Sequence, residues 1–287
     1  MDRDEFIITV YCLVCEHYRA VTATQRLRRG GFAPALTDEE VITMEICGEY
    51  FKQSADEDIH SYFRTHYAHF FPRLPERTVF VRQAANLWQV KAAIQHRLTQ
   101  VSGQARQAIQ VIDTLPLPVC VYTRSRRDRC FKPEADYGYC AAKQLHYYGF
   151  KLGLRISPCG MITAFPLLPA RPHDIQLLGD LVAGCTGLVP ADKGFLDAFR
   201  QALLAQRQGV YVVTPQRSNM HASPYPPGLL QACQRIRKCV ETVASHLTER
   251  FAVARIRVRD LWHLQHRLIR KVLAHTAIVF LNLQAGR

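Results

Sequence analysis

The hydrophobic positions fall into two regimes along the chain. Up to about residue 101 they recur at the three-to-four spacing of amphipathic helices. "DEFIITVYCLVCEHY" (4–18) is one such stretch. "LTDEEVITMEICGEYF" (36–51) is a second, and it opens on a capping box formed by Thr37 and Glu40. "PERTVFVRQAANLWQVKAAIQHRLTQV" (75–101) predicts one long helix beginning after Pro72 and Pro75. Beyond "VSGQARQ" (101–107) the pattern changes. "AIQVIDTLPLPVCVY" reads as a short strand broken by Pro116 and Pro118, and "LHYYGFKLGLRISPCGMITAFPLLPA" as a hairpin turning at 157–160. A helix closed by Gly184 follows, then the strand end "GLVPADKGF" (187–195), a helix ending at Gly209 and the strand "VYVVTP". Two long helical patterns complete the chain, 229–251 and 259–282. This order predicts an α/β domain on a mixed sheet, 105–287, preceded by an all-helical domain, 1–104. The helical part suits a helix-turn-helix-like DNA-binding module and equally a packing or dimerisation domain.

Composition narrows the class. With 48% hydrophobic residues in 287, the chain can bury a core, and disorder is not expected. No apolar run approaches the roughly 18–20 residues of a membrane span. The N-terminal stretch begins with acids and has no cleavage signal, so a cytoplasmic protein is expected, in a bacterium one at the nucleoid. The ten cysteines are scattered through apolar patterns and read as reduced core residues. Cys12 and Cys15 form a lone Cys-x₂-Cys near His17, and no second close pair completes a zinc site.

Charge changes the picture more. Residues 1–109 hold 13 Lys+Arg against 13 Asp+Glu, so the net charge of +13 lies entirely in residues 110–287. Such an excess suits a polyanionic partner, of which nucleic acid is the first candidate. The densest basic run, "RSRRDRCFK" (124–132), is expected to be a loop close to the functional edge of the sheet. The segment 235–271 carries ten Lys+Arg against three acids and is expected to offer surfaces for a phosphate backbone, with Arg235, Arg237 and Lys238 on its first helix.

Only 11 acids lie in this basic part, and three of them end or border apolar elements. Asp113 follows "IQVI", Asp192 follows "GLVPA", and Glu241 borders the apolar face of Ile236, Val240, Val243 and Leu247. Each has a plain reading. Asp192 is placed to cap the next helix, and Glu241 to pair with Arg237 one turn earlier. Together they also suit a carboxylate site for divalent ions in a basic surface. Two such ions about 3.5–4 Å apart stabilise the attacking and leaving oxygens of a phosphodiester, and Mg²⁺ takes oxygen ligands.

Four segments in order then give a resemblance: "VIDTLPLPV", "YYGFKLGLRIS", "ADKGF" followed by "TPQRSN", and "RKCVETVASHL". They resemble the DDE transposases of bacterial insertion sequences, in detail the insertion-sequence group nine-eight-two. The likeness covers about 105–250, and the helical part only loosely. It implies an RNase H-like catalytic domain with Asp113, Asp192 and Glu241 as catalytic metal ligands, two Mg²⁺ ions, and Mn²⁺ as a substitute. It further implies that Arg237 contacts a phosphate or steadies Glu241, and that Lys151, Lys193, Arg217 and Asn219 lie near the DNA. The partners implied are the element's terminal inverted repeats, target DNA and a second copy of the chain. The implied activity is cleavage at transposon ends and joining of the freed 3′-hydroxyl to target DNA. A DNA-binding protein or a non-transposing nuclease on the same scaffold is the alternative. The chain departs from the family pattern at Gln234, where Tyr is usual, at Thr248, where Lys is usual with Arg250 close by, and at Gly153, where many relatives have His.

Overall fold

The computed structural model of the protein describes residues 2–23, 33–141, 144–216 and 225–286. They form two compact units. The first is helical and comprises 1–101, 247–256 and 261–287; the second comprises 102–246 and 257–260. The junction after residue 101 lies where the hydrophobic period changes. The C-terminal segment 261–287, expected in the α/β domain, belongs with the helices. The second unit carries 19 Lys+Arg against 10 Asp+Glu, the first 18 against 14. No helix among the described residues is long and apolar enough to cross a membrane, and all ten cysteines are free.

The helical unit contains α1 (Arg3–Thr22), α2 (Asp38–Tyr50), α3 (Asp56–His66), α4 (Arg77–Asn86), α5 (Trp88–Val101) and α9 (Leu261–Gln284). The capping box at Thr37 is present, the hydroxyl accepting from the Glu40 N–H at 3.2 Å and the Glu40 carboxylate from the Thr37 N–H at 2.6 Å. The single helix expected over 75–101 is two, α4 and α5. The break falls at Leu87, whose N–H turns back to the Ala84 carbonyl, and that carbonyl also accepts from the Lys91 ammonium at 2.9 Å. α3 was not expected, although its signal is electrostatic and visible: Asp56, Glu57 and Asp58 in the first turn, Arg64 and His66 in the last.

α2 is buried on nearly every side, including Glu45 and Glu49, which are 0% and 1% exposed. A buried carboxylate needs a partner, and each has a cation that is itself buried. Lys91 donates to both Glu45 oxygens at 2.9 and 2.8 Å. Lys271 donates to both Glu49 oxygens at 2.9 and 2.8 Å. Arg270 Nε donates to Glu49 at 2.7 Å, Nη2 to the Ser54 carbonyl at 3.0 Å, and Nη1 to Asp56. Arg267 adds a second guanidinium to Asp56 at 2.8 Å. Burial alone would raise the Asp56 pKa, but Arg270 and Arg267 outweigh it and hold the carboxyl at about 2. Burial lowers Lys271 to about 8 against the pull of Glu49. Three of the ten cations of 235–271, expected to face phosphates, are thus spent on acids of the helical unit.

The second unit is built on β1 (Val111–Pro118), β2 (Asp136–Cys140), β3 (Leu145–Ile156), β4 (Ile162–Ala164) and β5 (Leu167–Pro169), with β6 (Gly187–Pro190) and β7 (Val210–Val213) as a parallel pair. β3 lies between β1 on one edge and β2, β5 and β4 along the other, all antiparallel. A parallel bridge from Ile109 to Leu188 ties the entry of β1 to β6, giving the RNase H-like mixed sheet. α6 (Leu178–Val182), α7 (Ala198–Gln208) and α8 (Pro227–Ser245) flank it.

β1 runs through both prolines that were expected to break it. In an antiparallel ladder alternate residues point their N–H groups to opposite edges. Val119 N–H bonds to the Tyr148 carbonyl on β3 at 3.0 Å. Pro116 and Pro118 have the opposite parity, so their missing donors face away from β3, where no ladder is broken. Gly149 is the tight point: its φ is +156°, and a Cβ there would lie 2.2 Å from the Leu117 carbonyl oxygen. Gly149→Ala is expected to cost more than about 2 kcal/mol by strain and displacement of β1. Chemical denaturation of the two proteins measures it, and a loss below about 0.5 kcal/mol, the size of an ordinary surface change, would contradict this account.

Arg155 on β3 is only 7% exposed. It donates to Thr163, to the Leu181 and Ala183 carbonyls and to Cys185 Sγ, closing the end of α6. This cation too is structural.

Candidate active site: a carboxylate pair around one guanidinium

Asp113 and Asp192 leave the core at neighbouring points. Ile112, Val189, Ala191 and Phe195 belong to one buried cluster with Leu177, Leu181 and Val210. Asp113 follows Ile112 on β1, and Asp192 lies between Ala191 and the short 3₁₀ turn Lys193–Phe195. The apolar neighbours are held inward, and the two acids emerge at the sheet edge. The Asp113 side chain is 27% exposed and that of Asp192 54%. Asp192 precedes that turn, but its side chain makes no capping hydrogen bond among the described residues. The residue that caps α7 is Asp197, whose carboxylate accepts from the Arg200 N–H at 3.0 Å.

α8 presents Cys233, Val240 and Val243 to the core, and Arg237 lies between the first two on the same side. Its Nη2 is 3.7 Å from Asp113 Oδ2 and its Nη1 3.5 Å from Asp192 Oδ1. One guanidinium thus bridges two carboxylates from strands some 80 residues apart. Both distances exceed a good charged hydrogen bond, about 2.7–2.9 Å, and the buried Nε of Arg237 has no hydrogen-bond partner among the described residues. Burial pushes the Asp113 carboxyl up to about 6; the Thr114 N–H and Arg237 pull against it, and Asp192 and Asp174 add to the rise.

Asp174 is a carboxylate that sequence reasoning missed. Its Oδ2 accepts from the Thr114 hydroxyl at 3.1 Å, next to Asp113, and its Oδ1 accepts from Lys151 Nζ at 2.8 Å. Lys151 also donates to the Pro172 carbonyl at 2.7 Å. A Cβ on Gly194 would lie 2.9 Å from Asp174 Oδ2, so a larger residue there would push this carboxylate aside. The one hint was the polar "HD" opening an otherwise apolar helical run.

Glu241 lies one turn beyond Arg237 and is exposed. The Arg237 ion pairs among the described residues go to the aspartates and not to it. No group of three or more His, Cys, Asp or Glu among the described residues is gathered to hold a metal ion. The structure therefore brings Asp113 and Asp192 together around Arg237, with Glu241 on the same helix outside the cluster. Lys193, Arg235 and Lys238 are exposed. Arg217 and Asn219 lie outside the described residues.

No curated protein is significantly similar to the chain. Among solved structures, the cryo-EM structure of a piggyBac transposase synaptic complex with hairpin DNA is similar in fold, with a TM-score of 0.53 and 11% identity over 97% of this chain and 73% of that one. A family model described as a transposase DDE domain matches residues 103–261, which include Asp113, Asp192, Arg237 and Glu241. That match spans more than half of the chain, and the protein belongs to the family of transposases with a DDE domain.

Proposed function

We propose that the protein is a DNA transposase that cuts at the ends of its element and joins the freed 3′-hydroxyl to target DNA. The observation that carries this reading is the single guanidinium of Arg237 between Asp113 and Asp192, within the segment matched by the transposase family. The residues suit a divalent cation. The donors are carboxylate oxygens, the choice of Mg²⁺ and Mn²⁺, and burial raises Asp113 to about 6 with Arg237 only partly offsetting it. Asp113 and Asp192 would hold the ions, with Glu241 as the third ligand. Two such ions supply charge stabilisation at the attacking and leaving oxygens of an in-line displacement.

The chain's own residues do the rest. Arg237, loosely bound and unpartnered at Nε, is free to exchange its carboxylates for a phosphate oxygen. Lys193, beside Asp192, and Arg235 and Lys238, on the helix of Arg237, give affinity for the strand that falls with salt. Lys151 is committed to Asp174 and acts by positioning it. Arg217 and Asn219 are assigned to the DNA by the motif "TPQRSN" alone. Joining two element ends calls for a second copy of the chain. The finer assignment to the insertion-sequence group nine-eight-two rests on the four motifs.

The test uses the full chain with DNA bearing the inverted repeats that flank its gene. With Mg²⁺ or Mn²⁺, nicks leaving a 3′-hydroxyl and strand-transfer products are expected; with EDTA, neither. Binding without metal-dependent cleavage would overturn the reading in favour of a DNA-binding protein. Cleavage without strand transfer would favour a nuclease.

A further inference from the structure

A cluster of aromatic rings, each partly exposed, stands beside the carboxylate site. Tyr137 and Tyr139 on β2 project from one face, since residues two apart on a strand do so. On β3 they are paired with Tyr148 and His146. Tyr139 packs at a tilt against His146 with centroids 4.5 Å apart, and Tyr122 lies 6.0 Å from both Tyr137 and His146. Tyr122, Tyr137 and Tyr139 are 46%, 41% and 52% exposed, whereas the neighbouring Phe131, Tyr147, Tyr148 and Phe150 are buried. Gly138 between the tyrosines fixes the strand closely on its other face, where a Cβ would lie 2.8 Å from that of Ala170.

Two features say what covers these rings. The first is charge. The basic run 124–132 begins two residues after Tyr122, and Arg124, Arg126, Arg127 and Arg129 are all exposed. The second is continuity with the site. An open concavity of about 460 Å³ is lined by the ring cluster together with Lys151, Arg171, His173 and Asp174. Asp174 is the carboxylate that accepts from Thr114, the neighbour of Asp113. Rings with accessible faces among guanidinium groups suit unpaired bases joined by phosphates, and duplex DNA offers no open base face.

We propose that this face is a stacking platform for unpaired nucleotides of the DNA strand whose phosphodiester is presented to Asp113 and Asp192. The proposal rests on the transposase reading and adds which state of the DNA the protein holds beside the site. Bases stack on Tyr139 and Tyr122, the phosphates between them meet Arg124, Arg126 and Arg171, and the strand continues past Asp174 to the carboxylate pair.

The experiment measures fluorescence anisotropy of three labelled probes on the full chain in EDTA, where chemistry is silent. The probes are a 12-nucleotide thymidine strand, the same strand with abasic residues, and a 12-base-pair duplex. The base-bearing strand is expected to bind about tenfold or more tighter than the abasic one, the usual worth of base stacking. Y122A/Y139A should remove that preference and leave duplex affinity within about twofold, while Y122F/Y139F should retain it. Equal binding of base-bearing and abasic strands, or loss of the preference in the Phe variant, would overturn the platform alone. Absence of binding to every probe would overturn the transposase reading with it.

Discussion

Asp113→Asn should abolish metal-dependent strand cleavage and at the same time make the metal-free protein more stable. The two effects share one cause. Asp113 is set among apolar residues at the end of a buried run, with Asp192 and Asp174 adding to the rise in its pKa and the Thr114 N–H and a loose guanidinium compensating only in part. The fold carries an uncompensated charge there. Its pKa of about 6 lies above the ordinary value of 3.8, so the folded chain holds this proton more tightly than the unfolded chain. The contribution to stability is therefore complete below about pH 4, declines as pH rises through 6, and is a cost at pH 7. Two pKa units correspond to about 2.7 kcal/mol; partial exposure reduces this to about 1–2 kcal/mol. Asn keeps the oxygen that accepts the Thr114 N–H, fits the same space and carries no charge. The melting temperature at pH 7 should rise by a few degrees, and the fall in stability between pH 4 and 6 should flatten. Cleavage should fall at least about a thousandfold, the equivalent of about 4 kcal/mol of transition-state stabilisation. Calorimetry across pH and a cleavage assay read the two halves separately. Wild-type-like cleavage would remove Asp113 from the site, and an unchanged pH profile would refute its strained burial.

What was legible in the sequence is what local pattern encodes. The strands leading to Asp113 and Asp192 are apolar runs that each end in one acid, and a strand period exposes that oddity without any knowledge of the fold. Arg237 and Glu241 were legible as one turn of one helix. Their plain reading, a pair with each other, is not what the structure contains, because Arg237 faces the sheet and two carboxylates compete for it. Asp174 was not legible. It sits in a short turn where acids are common, and only the approach of Gly194, Thr114 and Lys151 makes it part of the site. The prolines of β1 misled for a related reason: they break a strand only when their missing donor faces a partner, and the partner edge is a property of the sheet. The charge pattern misled most. Basic residues after position 260 were read as surface, yet their counter-ions lie some 220 residues earlier. No window along the chain contains both.

That distant pairing carries the largest expected effect on stability. Arg270→Met should cost about 3–5 kcal/mol, the penalty for removing one partner of a buried ion pair. Arg270 is 1% exposed and is the shared partner of Glu49 and Asp56, with Ser54 and Glu45 near. Without it, Glu49 keeps only Lys271, whose pKa burial has already lowered to about 8, and Asp56 keeps only the more exposed Arg267. Arg270→Lys should recover little, because a single ammonium cannot reach Glu49, Asp56 and the Ser54 carbonyl at once as the planar fork does. Removing the charges together should behave differently. In E49Q/R270M/K271M the buried Glu49, Arg270 and Lys271 charges go together while Asp56 keeps Arg267, and the triple variant should be more stable than the single one, since buried pairs return little net energy when replaced whole. Urea unfolding followed by circular dichroism distinguishes these cases. A loss below about 1 kcal/mol for R270M would mean that water reaches the cluster and screens it. A triple variant no more stable than R270M would mean that Arg270 acts through its packing and not through its charge. The expected order, wild type above triple above single, follows only if α9 is held to α2 and α3 by matched charges that the rest of the helical unit keeps dry.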